Sequence, residues 1–174
     1  MPAIWQDLEL GAPDIARLGM TQPNSAGVAL LGTLRRDGSP RISPIEPYLA
    51  EGQLLLGAMG RSGKAADLLR DPRCILHSTV TGADNGEGEL KLYGSAVEAG
   101  EHLRGVTADV WWSAWPPNKA IVFSLHIEQA VLRARLHHGQ QSREVNRPSR
   151  HGASWHGRAW VGSTDRRKSQ SRLT

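Results

Sequence analysis

Residues 57–73, GAMGRSGKAADLLRDPR, gather the residue types that hold an anion. Gly57, Gly60 and Gly63 space out a loop, and Arg61, Ser62 and Lys64 crowd its end. An apolar run, Leu54, Leu55 and Leu56, leads in, and a helical pattern leads out. The first N–H groups of a helix have no acceptor within it, and the helix dipole favours negative charge there. A phosphate fits such a place. So does an ordinary helix capped by Ser62, since Ser is a common N-cap.

Two better-defined chemistries fail on single residues. A P-loop ending in Gly63 and Lys64 needs Gly at 58 and Ser or Thr at 65, and both positions are Ala. A nucleophile elbow around Ser62 needs Gly at 64, which is Lys. No metal-ligand spacing links the seven histidines. His77 and His126 fall in strand patterns, and the adjacent His137 and His138 face opposite ways on a regular strand. The single cysteine, Cys74, excludes an internal disulfide and fits a small core residue in a reducing compartment.

Anion-binding residues need a scaffold, and the rest of the chain supplies strands. Residues 26–34, AGVALLGTL, read as a buried strand. Arg35 to Gly38, RRDG, is a hairpin turn. The return strand, 39–50, carries Pro40, Pro44 and Pro47, which places it at an edge or makes it bulged. Residues 53–59 form a third strand leading into the glycine loop, and a helix follows over 62–70. Residues 74–81, 89–99 and 120–133 are three further strands. In the last, Ile121, Phe123, Leu125 and Ile127 share one face, with Ser124, His126 and Glu128 on the other. A short helix is expected near 13–18, and another between Glu101 and Trp115. Six strands joined mostly by hairpins argue for a mainly β, six-stranded antiparallel barrel with few helices.

The charge is unevenly distributed. From Arg133 to Thr174 there are 10 Lys and Arg against two acids, whereas the other residues carry 11 against 15. The pI of 9.7 describes the tail rather than the body and gives no reason to expect a nucleic-acid-binding domain. Three segments are expected: an N-terminal helical extension over 1–25, the barrel over 26–141, and a basic tail over 142–174. The tail's composition buries little and favours mobility, a solvated extension being expected ahead of a nucleic-acid or anionic-surface contact through its Arg and Trp residues. No membrane span or export signal is visible, which points to the cytoplasm.

Three stretches, TLRRDGSPRISPI, LLLGAMGRSGKAADLLRDPRCILHS and LKLYGSAVEA, come in an order and spacing that resemble the pyridoxamine 5′-phosphate oxidase-like, FMN-binding split-barrel family. The middle stretch is similar to the actinobacterial branch. The resemblance implies a split β-barrel, a homodimer sharing each flavin, and redox chemistry on bound FMN. It implies that Arg41, Ser62 and Lys64, with the loop position Gly63, surround the flavin phosphate. It lays the ring along the second and third strands, held mostly by backbone, with Ile42, Ser43, Ala58 and Met59 beside it and residues near Glu89 and Lys91 approaching from the fifth strand. Trp111, Trp112 and Trp115 could line the cleft, although packing is the commoner role of such residues. The family usually adds one more strand near 134–150. A related branch uses the deazaflavin coenzyme F-420, and a non-catalytic flavin binder is a further alternative. The resemblance names no acid or base.

The chain also departs from the family pattern. Gly63 stands where many relatives carry a second cation. Glu46 aligns with a Lys of the relatives that oxidise pyridoxamine phosphate, and their C-terminal Arg/Trp pattern is not recognisable in 134–174. A general flavin-dependent role is therefore expected ahead of vitamin B6 synthesis.

Overall fold

The computed structural model describes residues 3–17, 27–79, 89–111, 119–136, 139–146 and 156–161. Helix α1 spans Trp5–Gly11, and a short helix, α2, covers 13–17. Strands β1 (Ala29–Leu34), β2 (Pro40–Ile45), β3 (Pro47–Ala50) and β4 (Gln53–Met59) precede helix α3 (Gly63–Arg70). Then come β5 (Arg73–Ser78), β6 (Glu89–Glu98), α4 (Glu101–Trp111), β7 (Ala120–Leu136), β8 (Gly139–Asn146) and β9 (His156–Val161).

Every strand pairing is antiparallel, in the order β2-β1-β5-β6-β7-β4-β3. Connectivity alone requires this sheet to curl. Laid flat, its terminal strands would stand about 29 Å apart at roughly 4.8 Å per step. Yet β2 ends at Ile45 and β3 begins at Pro47, two residues that the backbone holds within about 7 Å of each other. The sheet therefore closes toward a barrel, and Glu46 is the link between its two ends.

The barrel has seven strands where six were expected, because the stretch 39–50 divides at Glu46. Pro44 and Pro47 flank that point and cannot donate to a ladder. Here the chain leaves its pairing with β1 and takes up pairing with β4. Both pieces are terminal strands of the path, which suits their prolines. The β1–β2 turn forms as expected, with Gly38 at φ 82° and the Asp37 carboxylate accepting from the Ser39 N–H at 3.0 Å.

Strand β7 is the long spine. It pairs with β6 along most of its length, while β4 and then β8 share its other side. Its alternation is broken once. Tyr93 faces Gln129 and Gly94 faces Ile127, so Glu128 is an extra, bulged residue. A Cβ at Gly94 would lie 1.9 Å from the His126 carbonyl oxygen, so only glycine allows the strands this close. The bulge brings Ala130 and Leu132 into the same core as Phe123, Leu125 and Ile127. That is how one continuous apolar face survives a change of phase.

The expected N-terminal extension packs into this core. Trp5, Leu8 and Ile15 are essentially buried with Leu31, Leu56 and Leu92. Each such side chain contributes on the order of 1.5–3 kcal/mol by leaving water. The Gln6 N–H also donates to Gly52 O at 2.8 Å, tying α1 to the β3–β4 turn. At the other end, β8 runs across the boundary drawn at residue 141 and pairs with β9. The family's additional strand thus has a counterpart in β8. The remainder of 142–174, along with Trp112, Trp115, His137 and His138, lies outside the described residues. Among the described residues, no helix is long and apolar enough to cross a membrane.

Candidate functional site

Strand β4 ends at Met59 and hands the chain to a short loop fastened on both sides. Gly60 N–H donates to Lys119 O at 2.7 Å, and Ser62 N–H donates to Met59 O at 2.8 Å. Ser62 is the N-cap of α3, with Oγ accepting from Ala65 N–H at 3.3 Å. Ala66 N–H reaches Ser62 O at 3.1 Å. Among the described residues, the N–H groups of Gly63 and Lys64 meet no acceptor. The helix turns its apolar side, Ala65 and Leu68, into the barrel core.

Two cations from different elements reach this helix start. Lys64 Nζ donates to Pro44 O at 2.5 Å, which joins α3 to the end of β2. Burial pushes the Lys64 ammonium below the ordinary lysine range, and the nearby Glu46 charge opposes that shift. Glu46 itself is exposed, so its charge is largely solvated. Arg41 comes from β2, and its guanidinium lies against the backbone of Gly63. A Cβ at residue 63 would sit 2.8 Å from Arg41 Cζ and 2.9 Å from Nη1. The glycine that replaces a second cation in the sequence is therefore the seat of one.

Arg41 is held from behind. Its Nε donates to Asp67 Oδ2 at 2.6 Å, and the same oxygen accepts from Thr33 Oγ1 at 3.0 Å. Arg70 Nη1 stands 3.4 Å from Oδ1. Thr33 and Arg41 are cross-strand partners in β1 and β2, and Asp67 lies one turn into α3. The cluster thus binds three elements together. Burial works to raise the Asp67 pKa, but hydrogen bonds from Arg41 and Thr33 and the Arg41 charge outweigh it. The carboxyl is held below its usual range. Asp67 was not among the residues singled out from sequence. Its one signal is an acid between the buried positions Ala65 and Leu68, where an unpaired charge would be costly.

The other expected site residues are divided by strand geometry. Ser43 shares the Arg41 face of β2, whereas Ile42 points to the outer face and is 73% exposed. Ala58 is 1% exposed and belongs to the barrel core, so its backbone is what it offers a ligand. Met59 is half-buried at the mouth of the loop.

Glu89 and Lys91 form a separate group on the outer face of β6. Lys91 pairs with Glu89, and His77 Nε2 stands 3.6 Å from Glu89 Oε1. Burial tends to raise the Glu89 pKa, but Lys91, His77 and Arg133 together hold it below its ordinary value. The register runs Pro44, Leu30, His77, Lys91 across four neighbouring strands, which puts Lys91 about 14 Å from Pro44. Cys74 is no candidate nucleophile, because burial pushes its thiol up to about 12. Among the described residues, no group of three His, Cys, Asp or Glu is arranged to hold a metal ion.

The helix start therefore offers a hydroxyl, two open N–H groups, a guanidinium and an ammonium around a position without a Cβ. That donor set suits a phosphate monoester dianion, which needs convergent donors and positive charge.

No family model and no curated protein sequence matches the chain. Solved structures do match. A pyridoxamine 5′-phosphate oxidase-related, FMN binding protein from Nostoc punctiforme superposes with TM-score 0.66 at 15% identity, covering 87% of this chain and 96% of that one. PhzG from Burkholderia lata, solved in complex with tetrahydrophenazine-1-carboxylic acid, gives TM-score 0.66 at 10% identity over 87% and 93%. A heme binding protein from Mycobacterium smegmatis gives 0.53 at 20% identity, covering 68% of this chain. This chain spans about half, 53%, of that protein's length. The fold is the split β-barrel of the pyridoxamine 5′-phosphate oxidase-related, FMN-binding proteins.

Proposed function

We propose that the chain is a flavin-binding oxidoreductase of the pyridoxamine 5′-phosphate oxidase-like family, with FMN as its cofactor. The observation that carries this is the seating of the Arg41 guanidinium on Gly63 at the start of α3, beside Ser62 and Lys64. The fold neighbour described as an FMN binding protein supports the same ligand.

In this reading the Gly63 and Lys64 N–H groups, the Ser62 hydroxyl and the Arg41 guanidinium hold the phosphate. Lys64 exchanges its contact with Pro44 O for a phosphate oxygen. A charge-assisted contact of this kind contributes about 1.5–3 kcal/mol. Ser43 and the backbone of Ala58 and Met59 flank the ring. Bound flavin supplies hydride-transfer chemistry, and the chain supplies orientation and charge. No side chain is assigned as acid or base.

The proposal includes a homodimer in the cytoplasm. The outer face supports the dimer, because Ile42, Gly32, Ile75 and Tyr93 form one cross-strand row in which Ile42 and Tyr93 are exposed. Sedimentation equilibrium is expected to return twice the chain mass, and a monomer at all concentrations counts against the dimer.

The cofactor test is an absorbance spectrum of the purified chain, followed by titration with FMN, riboflavin, the deazaflavin coenzyme F-420 and haem. The expected result is FMN uptake with a band near ~450 nm and a clear preference over riboflavin. Lys64→Ala should weaken FMN by roughly 1–3 kcal/mol while the barrel stays folded. Preference for F-420 or haem, or equal affinity for FMN and riboflavin, would overturn the assignment. Turnover with a nicotinamide reductant separates an enzyme from a flavin carrier.

A further inference from the structure

We infer that Asp67 is a positioning residue of the phosphate site, anchoring Arg41 through Nε so that the outer N–H groups of the guanidinium face the start of α3. The inference rests on the flavin-phosphate reading above and deepens it.

A guanidinium is planar, with five N–H donors in a fixed fork. Holding Nε at 2.6 Å therefore fixes the direction of the other four. Among the described residues, neither Nη1 nor Nη2 donates to any protein acceptor. Both lie against residue 63, where the missing Cβ leaves them room. The anchor is itself rigid. Asp67 is only 3% exposed, its Oδ2 is shared with Thr33, and Arg70 faces its other oxygen. Arg41 is 31% exposed, so without that anchor it has solvent-facing rotamers to occupy.

Charge alone would assign Asp67 the opposite role. A carboxylate beside a dianion repels it and offsets the positive charge of Arg41. If Arg41 were correctly placed without help, removing the Asp67 charge would strengthen FMN binding. If Asp67 is what places Arg41, removing it weakens FMN binding and leaves riboflavin, which lacks the phosphate, unaffected. The two accounts differ in sign.

The experiment compares FMN with riboflavin affinity for the full-length wild-type chain, Asp67→Asn, Arg41→Gln and the double variant. Asp67→Asn is expected to lower the FMN/riboflavin preference about tenfold, the scale on which partners that orient a binding group act elsewhere. In the Arg41→Gln background the same change should have no further effect, because coupled residues do not add. An unchanged or increased preference in Asp67→Asn, with wild type preferring FMN, overturns the positioning role and leaves the flavin reading standing. A wild-type chain with no preference for FMN overturns both. Should Asp67→Asn not fold, Arg41→Lys carries the test, since it keeps the charge and loses the anchored fork. The same loss of preference is expected there, and retained preference would overturn the inference.

Discussion

Two polar clusters among the described residues of β1, β2, β5 and β6, each built around one acid with several bases, differ in what surrounds them. The Thr33–Arg41–Asp67–Arg70 group lies under α3, and its carboxylate side chain is 5% exposed. The His77–Glu89–Lys91 group lies on the outer face, and its carboxylate is 26% exposed. Both contain an acid with several basic neighbours. In the first, helix and sheet enclose the acid, so its partners have little freedom and its geometry is fixed. In the second, the groups are half-buried on an open sheet face: the Glu89 oxygen facing Lys91 and His77 is shielded, but no helix covers the group, so its partners can turn to water. Fully exposed pairs contribute about 0–1 kcal/mol and a half-buried pair on an open face lies toward that end, whereas breaking a buried pair costs several. The comparison indicates which charges organise the structure and which decorate it.

The largest expected effect comes from Asp67→Ala. It leaves Thr33 and Arg41 without their acceptor and should cost about 3 kcal/mol in urea unfolding. This is the low end of the range for a broken buried pair, because Arg41 still reaches water. A loss below ~1 kcal/mol would place this cluster with the one on the outer face. Acid sharpens the contrast. The folded-state pKa of Asp67 is depressed, so its stabilisation is complete above the unfolded carboxyl value of about 3.9 and disappears as pH falls through the folded value. The wild-type chain should lose stability on that limb, and Asp67→Asn should show a flatter one. The smallest effect belongs to Glu89→Ala, expected below ~1 kcal/mol and reduced further by salt. A loss equal to that of Asp67→Ala would erase the distinction between the two faces.

Which parts were legible in the sequence follows from how local their causes are. The Asp37-Gly38 turn, the Ser62 cap and the stop at Asp71-Pro72 depend on neighbours in the chain, and all three stand where expected. The strand pattern was legible from alternation until Glu128, where a bulge changes the phase. Gly94 was visible as a glycine in a strand, but its partner carbonyl at His126 was not. Gly63 is the clearest reversal. In sequence it is a missing cation, and in the fold it is the space that a cation from β2 occupies. Ile42 and Ala58 were expected at the site through the resemblance, which has the ring held mostly by backbone. Strand alternation turns the Ile42 side chain to the outer face and sends the Ala58 side chain into the core, so what either offers there is its backbone.

The sequence by itself determined the order of hairpins, the single helix after the glycine loop, and the hydroxyl and lysine at its start. These rest on turn chemistry, capping and periodicity, which act over a few residues. The tertiary structure decided that the strands close through Glu46, that Trp5 and Ile15 enter the core, and that Asp67 holds Arg41. The last contact spans 26 residues and the Thr33 contact 34. Such pairings depend on which surfaces meet when the sheet curls, and no local rule encodes the partner of a buried charge.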